Sequence, residues 1–97
     1  MANRHLSRSV VLQTLFECDF MRLSHDVALL ALDRNTTEFA PGMADVPFMK
    51  GIFQGTLDKQ NDLDKIITKA APEWPLDKIS NVDRNVLRLG LYELLFA

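Results

Sequence analysis

The stretch Trp74-Pro-Leu-Asp-Lys-Ile-Ser-Asn-Val-Asp-Arg-Asn-Val-Leu-Arg-Leu-Gly-Leu-Tyr-Glu-Leu-Leu95 decides the fold. Successive residues of a helix turn by about 100°. On that wheel Val82, Val86, Leu89 and Phe96 gather on one side, and Leu87, Leu91 and Leu94 on another. Arg84 and Arg88 lie close together between them. A helix that is apolar on more than one face belongs inside a core, so the last helix is expected to be central. Something must then cover its second side. Ser80-x-x-Asp83 resembles a capping box and sets the start of this helix. Pro75 can open a short helix through Ile79.

Upstream, Met49, Ile52, Phe53, Thr56, Gln60, Leu63, Ile67 and Ala70 hold one face with hardly a break. The spacing predicts one long helix, capped by Asp45, with Pro47 in its first turn and a bend near Gln60-Asn61-Asp62. Gly51 and Gly55 lie one turn apart and would let another helix approach closely. Ala71-Pro72 ends it, because the residue before proline avoids the α region. Ser24 caps a second helix that Asn35-Thr36-Thr37 closes, and Glu38 to Ala44 has loop composition. The first helix is expected over about Asn3 to Met21, with Leu6, Val10, Gln13, Phe16 and Phe20 as its inner stripe. Arg4, Arg8 and Arg22 then fall on the opposite side, together with Leu15. No strand pattern, repeat or low-complexity segment occurs. The expectation is an all-α single domain over residues 1–97, a bundle of about five helices.

Composition narrows the function. The chain has 97 residues, 47% of them apolar, and a net charge of −2. Near neutrality argues against indiscriminate nucleic-acid binding, so any RNA contact must come from a local basic patch. Arg4, His5 and Arg8 are the best candidates for one. Cys18 is the only cysteine and makes no internal disulfide, which suits a reducing cytoplasm. No apolar run reaches membrane-spanning length, and the first residues lack the apolar core of a signal peptide. His5 and His25 stand alone, without acidic or cysteine partners at ligand spacing, so no metal and no cofactor are expected. No phosphate loop, dinucleotide fingerprint or nucleophile elbow occurs, which argues against an enzyme.

The wording of the last helix is more specific than its periodicity. Asp83-Arg84-Asn85-Val86-Leu87-Arg88-Leu89-Gly90-Leu91-Tyr92-Glu93-Leu94 resembles the Asp-Arg-x-x-Leu-Arg-x-x-x-Tyr-Glu-Leu signature of the NusB family of bacterial transcription antitermination factors. Arg8-x-x-x-x-Gln13-x-Leu15-Phe16 agrees with that family's opening helix, and Leu57-Asp58 and Asp64-Lys65-Ile66-Ile67 fit its middle more loosely. The family continues past Tyr-Glu-Leu with further helices, which would cover much of the second apolar side. Here the expectation is a homodimer through the exposed last helix, or a loosely packed species that the further helices would rescue.

The resemblance implies binding of single-stranded boxA-like RNA in nascent ribosomal transcripts, with ribosomal protein S10 (NusE), within the transcription elongation complex. It places Arg4, His5 and Arg8 on the RNA, though this chain is poorer in arginine there than the family pattern. It places Phe16 against S10, flanked by Asp19 and Arg22; a core role for Phe16 stays open. Gln13 reads as a buried hydrogen-bonding residue. Trp74 reads as a plug over the core rather than a base-stacking platform. Arg84 and Arg88 are expected to pair with carboxylates, and Glu93 with an arginine or free backbone N–H groups. Two rivals remain. The same helical domain precedes certain ribosomal RNA cytosine methyltransferases, and a bare helical interaction module would need no RNA.

Overall fold

The computed structural model describes residues 3–42 and 44–97. Five α-helices and a single 3₁₀ turn follow one another: α1 Arg4–Met21, α2 His25–Phe39, α3 Val46–Asp58, α4 Gln60–Ala70, the 3₁₀ turn Leu76–Lys78, and α5 Asn81–Leu95. Among the described residues there is no strand. The all-α expectation holds, with three differences in the parts. The long middle helix is two helices that break at Lys59, whose backbone leaves helical geometry at φ −96° and ψ 6°. The short helix after Pro75 is only one 3₁₀ turn. Helix α2 also runs on through the Asn-Thr-Thr segment to Phe39, because Thr36 and Thr37 bond back to Leu32 O and Asp33 O instead of stopping the chain. Of the loop expected over 38–44, Met43 lies outside the described residues.

The helix ends are chemically specified. The Asn3 side chain accepts from Leu6 N at 2.9 Å, Asp45 Oδ1 from Phe48 N at 3.2 Å, and Ser80 Oγ from Asp83 N at 3.2 Å. Helix α1 closes on Arg22, whose φ of 54° is left-handed and whose position a glycine would ordinarily hold.

Helix α1 packs against α2, α3 and α5, and α5 packs against α1, α3 and α4. The core gathers Val10, Val11, Leu15 and Cys18 of α1 with Ala28, Leu32, Met49, Ile52, Phe53 and Leu89. The inner face of α1 is therefore Ser7, Val10, Val11, Thr14, Leu15 and Cys18, rotated by about 130° from the expected stripe. Gln13 and Phe20 point outward and Leu15 inward. Small side chains, Ser7, Thr14 and Cys18, make up half of that buried face. Both hydroxyls are satisfied within their own helix, at 2.8 Å from Asn3 O and Val10 O, so their burial leaves no orphaned group.

Helix α5 differs most from its pattern. It is central in touching three other helices, but of its two apolar sides it buries only Leu89. The buried strip is Asn85, Arg88 and Leu89, the partly polar stripe at the edge of the first side. Val82, Val86 and Leu87 remain 49%, 46% and 39% exposed, and Leu94 77%. Tyr92 of α5 seats its ring on Gly55 of α3, where a Cβ would overlap the ring tip. Gly51, expected to serve the same purpose, has nothing nearby.

Candidate functional site: a two-arginine edge where three helices meet

The rotation of α1 moves Arg4 and Arg8 from the far side of the helix to the border of its buried face. There they meet the start of α3 and the end of α5. The Cζ atoms of Arg4 and Arg8 stand 4.5 and 5.1 Å from the centre of the Phe48 ring, within the range of a cation–π contact. Each guanidinium also has a carboxylate. Arg4 Nε lies 3.5 Å from Asp45 Oδ2, and Arg8 Nε donates to Glu93 Oε1 and Oε2 at 2.9 and 3.2 Å. Ser7 Oγ, one turn from Arg4, accepts from Asp45 N at 2.9 Å and so pins the start of α3 to α1. His5 is exposed on the same helix end.

This edge sets two guanidiniums against two carboxylates, so its formal charge is balanced, and what marks it is a pair of arginines on one aromatic ring. Phe48 and Asp45 escaped the reading of the sequence as site residues. Their signal was only local, an N-cap with an aromatic three residues on, and nothing in one sequence links position 48 to positions 4 and 8.

The second group of expected site residues separates. Phe16 is half-buried and stacks on the exposed Phe20, ring centres 6.0 Å apart, and Arg22 is exposed at the helix end. Asp19 does not flank that surface as an available charge. Its Oδ2 accepts from Arg84 Nη2 at 2.8 Å, Asn85 Nδ2 at 3.0 Å and Arg88 Nη1 at 3.2 Å. Burial raises the Asp19 pKa, but the hydrogen bonds from Arg84 and Asn85 and the charges of both arginines outweigh it and hold the carboxyl below its ordinary value. Arg88, only 4% exposed, bonds Asp64 through Nε and Nη2, and Arg84 Nη1 donates to Leu76 O at 3.2 Å. Arg84 and Arg88 thus join α5 to α1, α4 and the 3₁₀ turn.

Two expectations fail on burial. Gln13 is exposed, because α1 buries a different face, and it is no internal hydrogen-bonding residue. Trp74 is 62% exposed and plugs nothing. It stands on a turn beyond the end of α4, while Ile79, after the 3₁₀ turn, is buried.

Little else resembles a reactive centre. Burial first, then the neighbouring Glu17 charge, pushes the Cys18 thiol up to about 11, away from thiolate chemistry. Among the described residues no group of three or more His, Cys, Asp or Glu side chains could hold a metal. No described helix is long and apolar enough to cross a membrane.

Sequence comparison supplies the kinship. The family model described as "NusB family" matches residues 5–97. A protein of Desulforamulus reducens named "Transcription antitermination protein NusB" is 35% identical over 91 residues, covering 94% of this chain and 62% of its own length. Proteins with the same name in Bacillus subtilis and Elusimicrobium minutum are 37% and 39% identical, covering 97% and 100% of this chain and 66% and 68% of their own lengths. No solved structure matches. The chain spans 62–68% of the length of these curated relatives. On the match of the family model and the signature of α5, the chain belongs to the NusB family.

Proposed function

We propose that this chain acts in transcription antitermination. It binds a boxA-like single-stranded RNA together with ribosomal protein S10 (NusE), and the pair joins the elongating polymerase in the cytoplasm. It works by assembly rather than catalysis. The observation that carries this reading is the Arg4–Arg8 edge, two cations one helical turn apart on a shared aromatic face, with His5 beside them. Phosphate contacts there position the strand, and the unstacked bases supply specificity. The names of the relatives support the same role. The S10 surface in this reading is the Phe16–Phe20 stack with Arg22 at its end. Asp19 is spent internally and is left out.

The test is a titration of a boxA-type oligoribonucleotide, with and without S10, using the parent and an Arg4→Ala, Arg8→Ala double variant. Binding should be weak alone and stronger with S10. Each phosphate contact on a single strand contributes about −0.7 to the slope of log affinity against log salt, so the double variant should lose both affinity and slope. Unchanged affinity and slope would remove α1 from the RNA. A helical interaction module without RNA is the second reading, favoured by the pairing of each arginine with an acid. S10 binding with no RNA response would select it.

A further inference from the structure

We infer that Phe48 is a positioning residue for nucleic-acid phosphate: its ring holds the Arg4 and Arg8 guanidiniums together as one two-cation clamp. The inference rests on the proposed RNA reading and adds to it the part that shapes the site.

Phe48 is half-buried and packs one side against the core. Over the ring stand two guanidiniums, at 4.5 and 5.1 Å from its centre. Long arginine side chains lose much rotamer freedom when fixed, and a surface arginine without a support stays mobile. Here both are supported by one ring, and each has a carboxylate at its Nε. The carboxylate contacts engage Nε, at 3.5 Å for Arg4 and 2.9 Å for Arg8. Among the described residues no hydrogen bond engages the terminal Nη groups of either arginine. Those groups carry four of the five guanidinium donors and match a phosphate fork. The ring is itself fixed, because Asp45 caps the turn that carries Phe48 and is bonded through its N–H to Ser7 of α1. Helices α1 and α3 thereby set the two arginines and their support in one frame. An aliphatic side chain of similar bulk would fill the same space and offer no quadrupole to the cations.

The experiment compares Phe48→Leu, Phe48→Tyr and the Arg4→Ala, Arg8→Ala double variant in the titration with boxA-type RNA and S10. Phe48→Leu should weaken RNA binding, by at most about five- to thirtyfold, the ceiling set by two exposed cation–π contacts, and should shift the salt slope toward that of the double variant. Phe48→Tyr should restore both, which lost core packing alone would not explain. If the double variant loses affinity while Phe48→Leu keeps it, the inference falls and the RNA reading stands. If the double variant keeps its affinity, the RNA reading falls and takes the inference with it. A second measurement needs no variant: in the parent protein the Arg4 and Arg8 Hδ protons should be shifted upfield by the Phe48 ring current. Ordinary shifts at both would overturn the stacking whatever the variants do.

Discussion

Arg88 grips Asp64 with two parallel hydrogen bonds, Nε to Oδ1 at 2.7 Å and Nη2 to Oδ2 at 2.8 Å, and so ties α5 to α4. Its third contact, Nη1 to Asp19 Oδ2 at 3.2 Å, ties the same side chain to α1. Three helices therefore converge on one guanidinium.

Replacing Arg88 should be among the costliest single changes in the chain. Its side chain is 5% exposed, while both carboxylate partners are 21% exposed. Breaking a buried pair costs about 3–5 kcal/mol, and the partial exposure of the acids places Arg88→Met at the lower end. Arg88→Lys should recover little, since a lysine cannot make the two-pronged contact. Urea denaturation checks both, and a Lys variant as stable as the parent would show that charge alone suffices.

Asp19 should set the acid limb of the stability curve. Its folded pKa lies below the ordinary aspartate value of 3.8. A depressed carboxyl stabilises the fold fully above its unfolded pKa and loses that stability as pH falls through the folded value. Melting temperature should then be level with respect to this group above about pH 5 and decline as pH falls through and below 3.8. Asp19→Asn should be less stable than the parent at neutral pH and show a shallower acid decline. Parallel curves for the two proteins would place the acid response elsewhere.

The helical class was legible because capping residues and apolar spacing act locally. Asn3, Asp45 and Ser80 each mark a helix start that the structure contains. Which face each helix buries was less legible. Apolar count pointed α5 toward Val82 and Leu87, yet the packed strip holds Asn85 and Arg88, since Asp19 and Asp64 satisfy them from other helices. The same error moved the α1 stripe onto Gln13 and Phe20 and missed Ser7 and Thr14, whose small side chains permit close packing. Polar groups become core residues only when their partners are known, and those partners lie 65 to 85 residues away for Arg84–Asp19 and Arg8–Glu93. Phe48 stayed hidden for the same reason.

Two glycines of α3 should respond in opposite directions to alanine. At Gly55 a methyl group would run into the Tyr92 ring, and the rigid ring must move off the helix. Overpacking of this kind costs about 1–3 kcal/mol, more than the helix-propensity gain of about 1 kcal/mol. Gly51 is exposed and open, so Gly51→Ala should gain up to about 1 kcal/mol. Equal shifts in melting temperature for the two variants would show that Tyr92 yields without cost.

The outer sides of α5 should make the chain associate, and we propose a homodimer as the product. Val82, Val86, Leu87, Leu94 and Leu95 are all exposed on one helix, and exposed apolar surface favours association. Sedimentation across a concentration series should show growing mass, with dye binding at low concentration. Leu94→Lys, at the most exposed of these positions, should weaken both. A monomer at all concentrations that binds no dye would leave these side chains as scattered surface residues.

Glu93 should restrain RNA binding while contributing little stability. Its side chain is 24% exposed and that of Arg8 44%, so the pair lies in the regime where surface ion pairs contribute roughly 0–1 kcal/mol. Glu93→Gln should therefore melt within a few degrees of the parent. Its effect on RNA is of the other sign. A phosphate approaching Arg8 must share the guanidinium with a carboxylate and meets that carboxylate's negative charge. Removing the charge while keeping the shape should tighten binding of boxA-type RNA about two- to fivefold at low salt, with the gain shrinking as salt screens the interaction. In an Arg8→Ala background the same change should gain much less, because the competition is then gone. Weaker binding by Glu93→Gln in the parent background would mean that the carboxylate orients Arg8 for the phosphate instead of competing with it.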